Sequence, residues 1–441
     1  ANATRYKPDL FEAWYWRGHT QNLVAKHAEA AEAFERVIEQ QPEHAEALYE
    51  GGDAYAAIGK HDRAAELYGR AAPFFERDAE LWYRLGLSGS RRESWPAAFS
   101  ALSKAHALAD RRVDVLCALA FACAQQAKHV DAVRFYRKAL DVDPEQPDVW
   151  FKMAEQQELV ELDEDAAVSF EQCVNRRPED VIAHRRWAEP LFRLGRYEAA
   201  LEAFEKALEL GGDEIVALDG RGKTLAKLGR HREAVEVLEH ATEFDKGYAL
   251  AFSHLGESYR ALGRAEEATK ALRHAVRLQP EVAGVHYALA FHHFEHGEHW
   301  ESVQPFEKAI ELNPRMEPAF FHLGESKRHL GEHEAAVAAY KAAIAIQPNR
   351  AESHLGLGLS LRALRRYVEA FEALGEAEQL DPTAQTLLHK GLVLASLDRH
   401  EEAVAAFEKG IRVDADVPEL FLALARALRV LGRDDPARNA L

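Results

Sequence analysis

The sequence predicts an all-helical solenoid of stacked helix pairs, and three observations support this prediction. A Gly or Ala recurs every 34 residues from Gly18 to Gly358, slips by one residue, and continues at Gly391 and Ala425. Apolar residues recur at helical spacing between these positions. No run of residues alternates with the period of two that is typical of strands. A period of this length indicates repeats that bury their apolar sides against one another, so we expect one elongated domain.

The repeat frame begins at Phe11. Counting Phe11 as position 1, twelve full repeats start at residues 11, 45, 79, 113, 147, 181, 215, 249, 283, 317, 351 and 384 and fill residues 11–417. A thirteenth, truncated repeat covers residues 418–441. Residues 1–10 match the end of a preceding repeat, so both chain ends fall inside a second helix. We therefore expect the sequence to be a segment of a longer protein.

Each repeat is predicted to contain two antiparallel helices joined by a turn near position 15, where Gly is frequent. Position 8 is always Gly or Ala, and position 20 is Ala in every repeat except the ninth, which has Ser302. Small residues at these two positions let the helix backbones approach closely. A large apolar residue at position 24 fills the space beside them, and Pro at position 32 ends many second helices.

These spacings and residue types resemble the tetratricopeptide repeat. The eighth repeat matches best, with the family's residues at Phe252, Leu255, Gly256, Tyr259, Gly263, Ala268, Ala275 and Pro280. The resemblance covers nearly the whole chain. It implies a right-handed α–α superhelix of 12–13 helix-turn-helix repeats, in which the first helices line a concave groove.

Composition excludes several classes of partner. The chain has 441 residues and a formal net charge of −18, which would repel nucleic acid phosphates and anionic membranes. No apolar run is long enough to span a membrane. Three cysteines without metal-ligand spacing argue against a disulfide framework and favour a reducing, cytoplasmic compartment. We expect no nucleic acid partner, no membrane insertion and no cofactor.

One segment looks like a phosphate-binding loop. Residues Ala217–Thr224 read Ala-Leu-Asp-Gly-Arg-Gly-Lys-Thr, but such a loop must lie between a strand and a helix. In the repeat frame Gly222 occupies position 8, inside a first helix, where the backbone N–H groups are already bonded. We therefore interpret the segment as ordinary repeat packing rather than a nucleotide site.

The ninth repeat is rich in histidine. His292 and His296 are four residues apart and could share a helical face, as a metal pair would. His286 occupies a position filled elsewhere by Trp82 and Trp150, and His299 a position that is His in seven repeats. No carboxylate or Cys completes a convincing ligand set, so we favour structural histidines over a metal site. No nucleophile and base are paired either, and we expect no catalytic residue.

Candidate partner-binding residues occupy groove positions that packing within one repeat does not require. Aromatic rings dominate position 5 in many repeats and also appear at position 9, and they could capture a peptide or helix. Basic residues of repeats 6 to 8 could bind acidic groups. The predicted set is Tyr15, Tyr49, Tyr83, Phe121, Phe151, Arg185, Lys223, Tyr287, Phe291 and Phe321. The alternative is that the rings pack against the neighbouring first helix and the charges, Arg186, Arg193 and Arg260 among them, pair with adjacent acids.

The resulting function is a protein–protein interaction scaffold that binds a peptide or helical segment in its groove. The chaperone-tail clamp of the family needs Lys at position 5 and Asn at position 9 of one repeat, a pair that no repeat here contains. An alternative function is the non-catalytic arm of a larger enzyme, since Trp82–Gly86 resembles repeats attached to bacterial glycan or polyol-phosphate transferases. Self-association through uncapped ends is a third possibility.

Overall fold

The computed structural model describes residues 10–211 and 214–439. These residues form 26 helices, α1 to α26, and contain no strand, which confirms the all-helical prediction. The first helices of successive pairs are α1 Phe11–Leu23, α3 Ala45–Ala57, α5 Ala79–Arg91, α7 Val113–Ala124, α9 Pro147–Leu159, α11 Val181–Arg193, α13 Glu214–Lys227, α15 Ala249–Ala261, α17 Ala283–Glu295, α19 Glu317–His329, α21 Ala351–Ala363, α23 Ala384–Ser396 and α25 Pro418–Val430. The second helices are α2 His27–Gln40, α4 His61–Ala71, α6 Trp95–Leu108, α8 His129–Val142, α10 Asp163–Arg176, α12 Tyr197–Glu209, α14 His231–Phe244, α16 Ala265–Leu278, α18 His299–Leu312, α20 His333–Ile346, α22 Tyr367–Leu380, α24 His400–Val413 and α26 Asp434–Asn439.

Backbone contacts divide the chain into two compact units, residues 1–220 and 221–441, called here the N-terminal unit and the C-terminal unit. The segment predicted to end a preceding repeat, apart from residue 10, lies outside the described residues, as does the predicted chain end at Leu441. No helix in the described parts of the chain is long and apolar enough to cross a membrane.

The turn inside each helix pair requires a left-handed residue at position 15. Gly59, at φ 75°, is one of several glycines that take this conformation without steric cost. Other pairs have a non-glycine residue there, including Ala127 at φ 56°, Glu161 at 59° and Arg365 at 58°. The turn is therefore determined by the two helices it joins, and the non-glycine residues adopt it with strain.

Within a pair, the small residue at position 8 lies against the large residue at position 24. A Cβ atom added to Gly391 would lie 2.3 Å from Cε1 of Phe407, and one added to Gly222 would lie 2.4 Å from Cγ of Leu238. The rings of Phe34, Tyr68 and other residues at position 24 are almost completely buried. Gly222 thus lies inside α13 and serves helix packing, as the repeat frame predicts.

Between pairs, a first helix packs on the second helix that precedes it. Ser302, the exception to Ala at position 20, forms a 2.8 Å hydrogen bond with Ser326 at position 10 of the next first helix, and both side chains are buried. Successive first helices also contact each other, as α5 does with α7 and α19 with α21. Side chains at positions 2, 5, 9, 12 and 13 of these helices form what we call the first-helix surface.

Candidate functional site

The residues predicted to bind a partner all lie on the first-helix surface, but they differ in how much of each side chain is accessible. Phe121 is 40% exposed, whereas the other nine are half-buried. The structure places six of them in the N-terminal unit and four in the C-terminal unit. What covers each half-buried ring decides whether it remains free to meet a partner.

Tyr15 is held by polar neighbours on its own helix, in the turn before α3 and on α3. Its hydroxyl donates a 2.8 Å hydrogen bond to Glu50, and His19 bonds the other oxygen of the same carboxylate at 2.7 Å. Its ring stacks on His44 with centroids 5.2 Å apart. Burial and the adjacent Glu50 carboxylate raise the pKa of the Tyr15 phenol. Tyr15 is therefore chiefly a contact between repeats.

Arginines cover the next two rings. Arg84 lies 5.6 Å from the ring centroid of Tyr49, and Arg112 lies 4.8 Å from that of Tyr83. Tyr49 also makes edge contacts with Tyr68 at the core, with centroids 6.1 Å apart. Arg84 lies on the next first helix, α5, and Arg112 immediately precedes the next first helix, α7, so these cation–π contacts connect successive first helices. Contacts inside the protein therefore cover part of both rings, as the alternative interpretation describes.

An exposed apolar pair follows on α5 and α7. Leu87 is 37% exposed and Phe121 40% exposed, and both occupy position 9 of neighbouring first helices. The Phe121 ring contacts Trp95 edge-on at 5.7 Å, and the Lys152 ammonium lies 5.8 Å from its centroid. Leu87 was not among the predicted site residues, although the repeat frame already placed this Leu at position 9.

The acidic residues of α9 and α10 neutralise the basic residues next to them. Arg186 bonds Glu158 at 2.6 Å, and Arg193 bonds Glu158 at 2.8 Å and Asp163 at 2.6 Å. These are the pairings with adjacent acids that the alternative interpretation describes. Arg185 is half-buried and makes no ion pair within the described residues. Phe151 makes an edge contact with the core ring of Phe170 at 5.4 Å.

In the C-terminal unit the structure brings Tyr287 and Phe291 together. Their rings stack with centroids 5.9 Å apart, and Phe291 also meets the His322 ring at 5.0 Å. Arg260 covers Phe291 at 5.3 Å while pairing with Glu295. Lys223 is half-buried and lies on α13, two first helices before α17, the helix that carries Tyr287 and Phe291.

The ring of Phe321 is the most tightly covered. Arg350 lies 3.8 Å from its centroid and bonds Glu317 at 2.9 Å, and Glu317 is only 5% exposed. This arrangement joins α19 to the N-terminal end of α21. One face of Phe321 is therefore occupied by the protein's own guanidinium.

Two carboxylates of the first-helix surface accept hydrogen bonds from tyrosines of the core. The Tyr68 hydroxyl donates to Asp53 at 2.6 Å, and the Tyr340 hydroxyl donates to Glu325. Burial raises the pKa of Glu325, but hydrogen bonds from Arg328 and Tyr340 outweigh burial and hold this pKa below its usual value. These acids already have partners inside the protein.

The histidines of the ninth repeat are engaged in protein contacts. His292 bonds Thr269 at 2.9 Å through Nε2, His296 donates to the His292 carbonyl, and His286 donates to the Pro280 carbonyl at 2.9 Å. Burial lowers the pKa of His292 to about 4. Throughout residues 10–211 and 214–439, no group of three His, Cys, Asp or Glu side chains could hold a metal ion.

The cysteine thiols are poor nucleophiles. All three cysteines are free, and burial raises the pKa of Cys117, Cys123 and Cys173 to about 11. A thiol of such pKa carries almost no thiolate at neutral pH, and the thiolate is the reactive form.

Several solved structures resemble the chain at low sequence identity. A chain of the Cut9–Hcn1 hetero-tetramer of the APC/C is 14% identical, with 96% of this chain and 98% of that chain covered and a TM-score of 0.44. Yeast Tom70 is 17% identical, with 97% of each chain covered and a TM-score of 0.41. The Naa15/Naa10 structure bound to HypK is 15% identical, with 98% and 75% covered and a TM-score of 0.42. No curated protein matches the chain at a significant level.

Family models match the chain over most of its length. The one described as the cilia and flagella-associated protein 70 C-terminal domain matches residues 3–221 and 283–441, which is more than half of the chain. A tetratricopeptide repeat model matches residues 217–248 and 249–282. The tetratricopeptide repeat is a non-catalytic scaffold fold. The chain therefore belongs to the tetratricopeptide repeat proteins, in the family of the cilia and flagella-associated protein 70 C-terminal domain.

Proposed function

We propose that the chain is a protein-interaction scaffold whose first-helix surface binds a peptide or helical segment of a partner protein. The observation that carries this proposal is the exposed pair formed by Leu87 and Phe121. Single exposed apolar residues are common on protein surfaces and need no explanation. Two at the same position of first helices that touch present apolar side chains on neighbouring helices, which suits an apolar side chain of a partner.

The flanking residues fit the same role. Tyr83 lies one turn before Leu87 on α5, and Phe151 occupies the same position 5 on α9, the first helix after α7; both rings are half-buried, so part of each remains accessible to a partner. Lys152 beside Phe121 adds a positive charge at the rim. In the C-terminal unit, Tyr287 and Phe291 provide a second aromatic surface. Rigid rings give contact area at low entropic cost.

The experiment tests the exposed pair rather than the tyrosines, because truncating a half-buried ring also removes core packing. A displayed library of random 12-residue peptides is selected on the full chain, and the affinity of the selected peptides is measured for a Leu87→Ala, Phe121→Ala variant. We expect a loss of about tenfold or more, since a central apolar anchor contributes at least about 1.4 kcal/mol.

The matched control is Val130→Ala. Val130 is 70% exposed but lies on the second helix α8, so its truncation removes exposed apolar surface away from the first-helix surface. Circular dichroism should show unchanged helicity for all variants. The proposal fails if no peptide is selected, or if Val130→Ala weakens binding as much as the double variant.

A further inference from the structure

One half-buried arginine of the C-terminal unit lacks, among the described residues, the acid that the other half-buried arginines at the same repeat position have. Position 12 is Arg in the first helices α15, α19, α21 and α25, and of these four arginines Arg429 of α25 is exposed to solvent whereas the other three are half-buried. Arg260 of α15 pairs with Glu295, at position 13 of the next first helix. Arg328 of α19 pairs with Glu325, at position 9 of its own helix. In both cases a carboxylate of the first-helix surface compensates the guanidinium.

Arg362 of α21 has neither kind of acid. The residue at position 13 of the next first helix is Ser396, and the residue at position 9 of its own helix is Leu359. Within residues 221–439 as described, Arg362 makes no ion pair and no side-chain hydrogen bond. The charge of Arg362 is therefore not compensated by an acid, whereas the charges of Arg260 and Arg328 are.

The absence of an ion pair at Arg362 is energetically unfavourable, because part of its side chain is buried. Its Nε–H is buried without a hydrogen-bond partner, whereas its two terminal nitrogens are not buried. Burial lowers the pKa of Arg362, opposed only by the Tyr367 phenol. An unpaired, partly desolvated charge destabilises a protein. A chain with 73 acidic residues nevertheless places none of them here, so the guanidinium is left available to an external anion.

A second buried polar group lies beside it. The Nδ1 atom of His389, on the next first helix, is also buried without a partner. Burial, together with the positive charges of Arg362 and Arg328, lowers the pKa of His389 to about 4. Of these two arginines, Arg328 is already bonded to Glu325 at 2.6 Å. Arg362 is therefore the arginine at this place whose terminal nitrogens have no hydrogen-bond partner in the described part of the chain.

Building on the proposed function, we propose that Arg362 binds an acidic group of the partner peptide on the first-helix surface of the C-terminal unit. The terminal nitrogens of a guanidinium form paired, charge-assisted hydrogen bonds with carboxylate or phosphoryl oxygens. The ligand is therefore a peptide carrying Asp, Glu, a C-terminal carboxylate or a phosphorylated residue at this point. The bound anion also compensates the positive field at His389.

The first experiment uses peptides from the displayed library and the full chain. A selected peptide is synthesised with Asp, phosphoserine or Asn at its acidic position, and each form is measured against wild type and Arg362→Ala. We expect Asn to weaken binding to wild type about tenfold or more, and to have little effect on Arg362→Ala, as for one charge-assisted contact. Preference for the Asp or the phosphoserine form identifies the source of the anion.

Arg260→Ala is the matched control, because Arg260 occupies the same position but is paired with Glu295. It should leave the Asp-to-Asn difference unchanged. If Arg362→Ala and the Asn peptide weaken binding additively, the proposal is wrong even though peptide binding, and with it the proposed function, survives.

The second experiment needs no peptide and so remains decisive if the proposed function fails. Acetate and inorganic phosphate are titrated separately into ¹⁵N-labelled full chain, and the Arg362 Nε–H and His389 ring resonances are followed. We expect saturable shifts at Arg362 and a higher pKa for His389, with neither seen in Arg362→Gln. Shifts at Arg362 no larger than those at Arg260 with both anions would overturn the proposal.

Discussion

The imidazole of His286 donates its Nε2–H to the backbone carbonyl of Pro280 at 2.9 Å. The indole of Trp150 makes the same bond to the Pro144 carbonyl at 2.8 Å, also six residues earlier. Trp and His are thus interchangeable at position 4 because both rings present an N–H donor at the same place. Where position 4 is Trp or His, the bond ties the first helix to the turn that precedes it, and His184 and His354 make it as well.

A first prediction concerns this bond. Replacing His286 with Phe keeps a ring but removes the donor, so the free energy of unfolding should fall by about 1 kcal/mol. Replacing it with Trp restores the donor and should recover most of that loss. Urea unfolding of the two variants measures the difference. Equal stability of the Phe and Trp variants would show that the hydrogen bond contributes nothing.

A second prediction concerns the left-handed turns. Glu161 and Arg365 hold φ values of 59° and 58° and are exposed, so their side chains offer little packing to offset the strain. Replacing each by Gly should raise the free energy of unfolding by about 1 kcal/mol. Gly59→Ala is the reverse control and should lower it by a similar amount. A decrease in stability for Glu161→Gly would contradict the assignment of strain.

A third prediction separates two helical glycines. A Cβ at Gly391 would overlap the Phe407 ring at 2.3 Å, whereas a Cβ at Gly375, in α22, would meet no atom within 4 Å. Gly391→Ala should therefore destabilise the chain by about 1–3 kcal/mol through overpacking. Gly375→Ala should stabilise it by up to about 1 kcal/mol, because Ala is the better helix former. The two unfolding midpoints should move in opposite directions.

A fourth prediction concerns pH. Burial lowers the pKa of His322 and that of His389 to about 4, with Arg350 acting in the same direction on His322. In the unfolded chain a His titrates near 6.5, so between about pH 6.5 and 4 the unfolded state binds more protons. Stability is then fully present above about pH 6.5 and falls as the pH is lowered, by up to about 1.4 kcal/mol per pH unit for each histidine.

Urea midpoints at pH 7, 6 and 5 measure this dependence. His389→Gln removes one titrating group, so the slope between pH 6 and 5 should become shallower. His240→Gln is the control, because His240 is exposed on the second helix α14 and should leave the slope almost unchanged. A wild-type midpoint that is constant from pH 7 to pH 5 would contradict the prediction.

Much of the fold could be predicted because the residue types that recur every 34 positions are the ones that pack the helices against each other. Gly222 and Gly391 are small for the same physical reason, and the period alone places both inside helices. The turn was harder to predict, since Glu161 and Arg365 adopt a conformation that their residue types disfavour. There the tertiary contacts of the two helices override local preference.

The candidate site could be predicted only as a surface. Residue type suggested that Tyr15 and Phe321 face a partner, but Glu50 of the next first helix bonds the Tyr15 hydroxyl, and Arg350, just before the next first helix, covers the Phe321 ring. Such contacts depend on side chains at or beyond the repeat boundary and on their rotamers, which the repeat frame does not contain. Leu87 and Arg362 stand out only once the partners of neighbouring residues are known.

The bonds from Tyr68 to Asp53 and from Tyr340 to Glu325 have a consequence for discrimination between partners. A basic segment that recruited either carboxylate would strand a buried phenol, at a cost of about 1–3 kcal/mol. Asp53 and Glu325 could attract a lysine of a partner, but each already accepts a hydrogen bond inside the protein. The net charge of −18 thus overstates how many carboxylates of the first-helix surface are available to a basic partner.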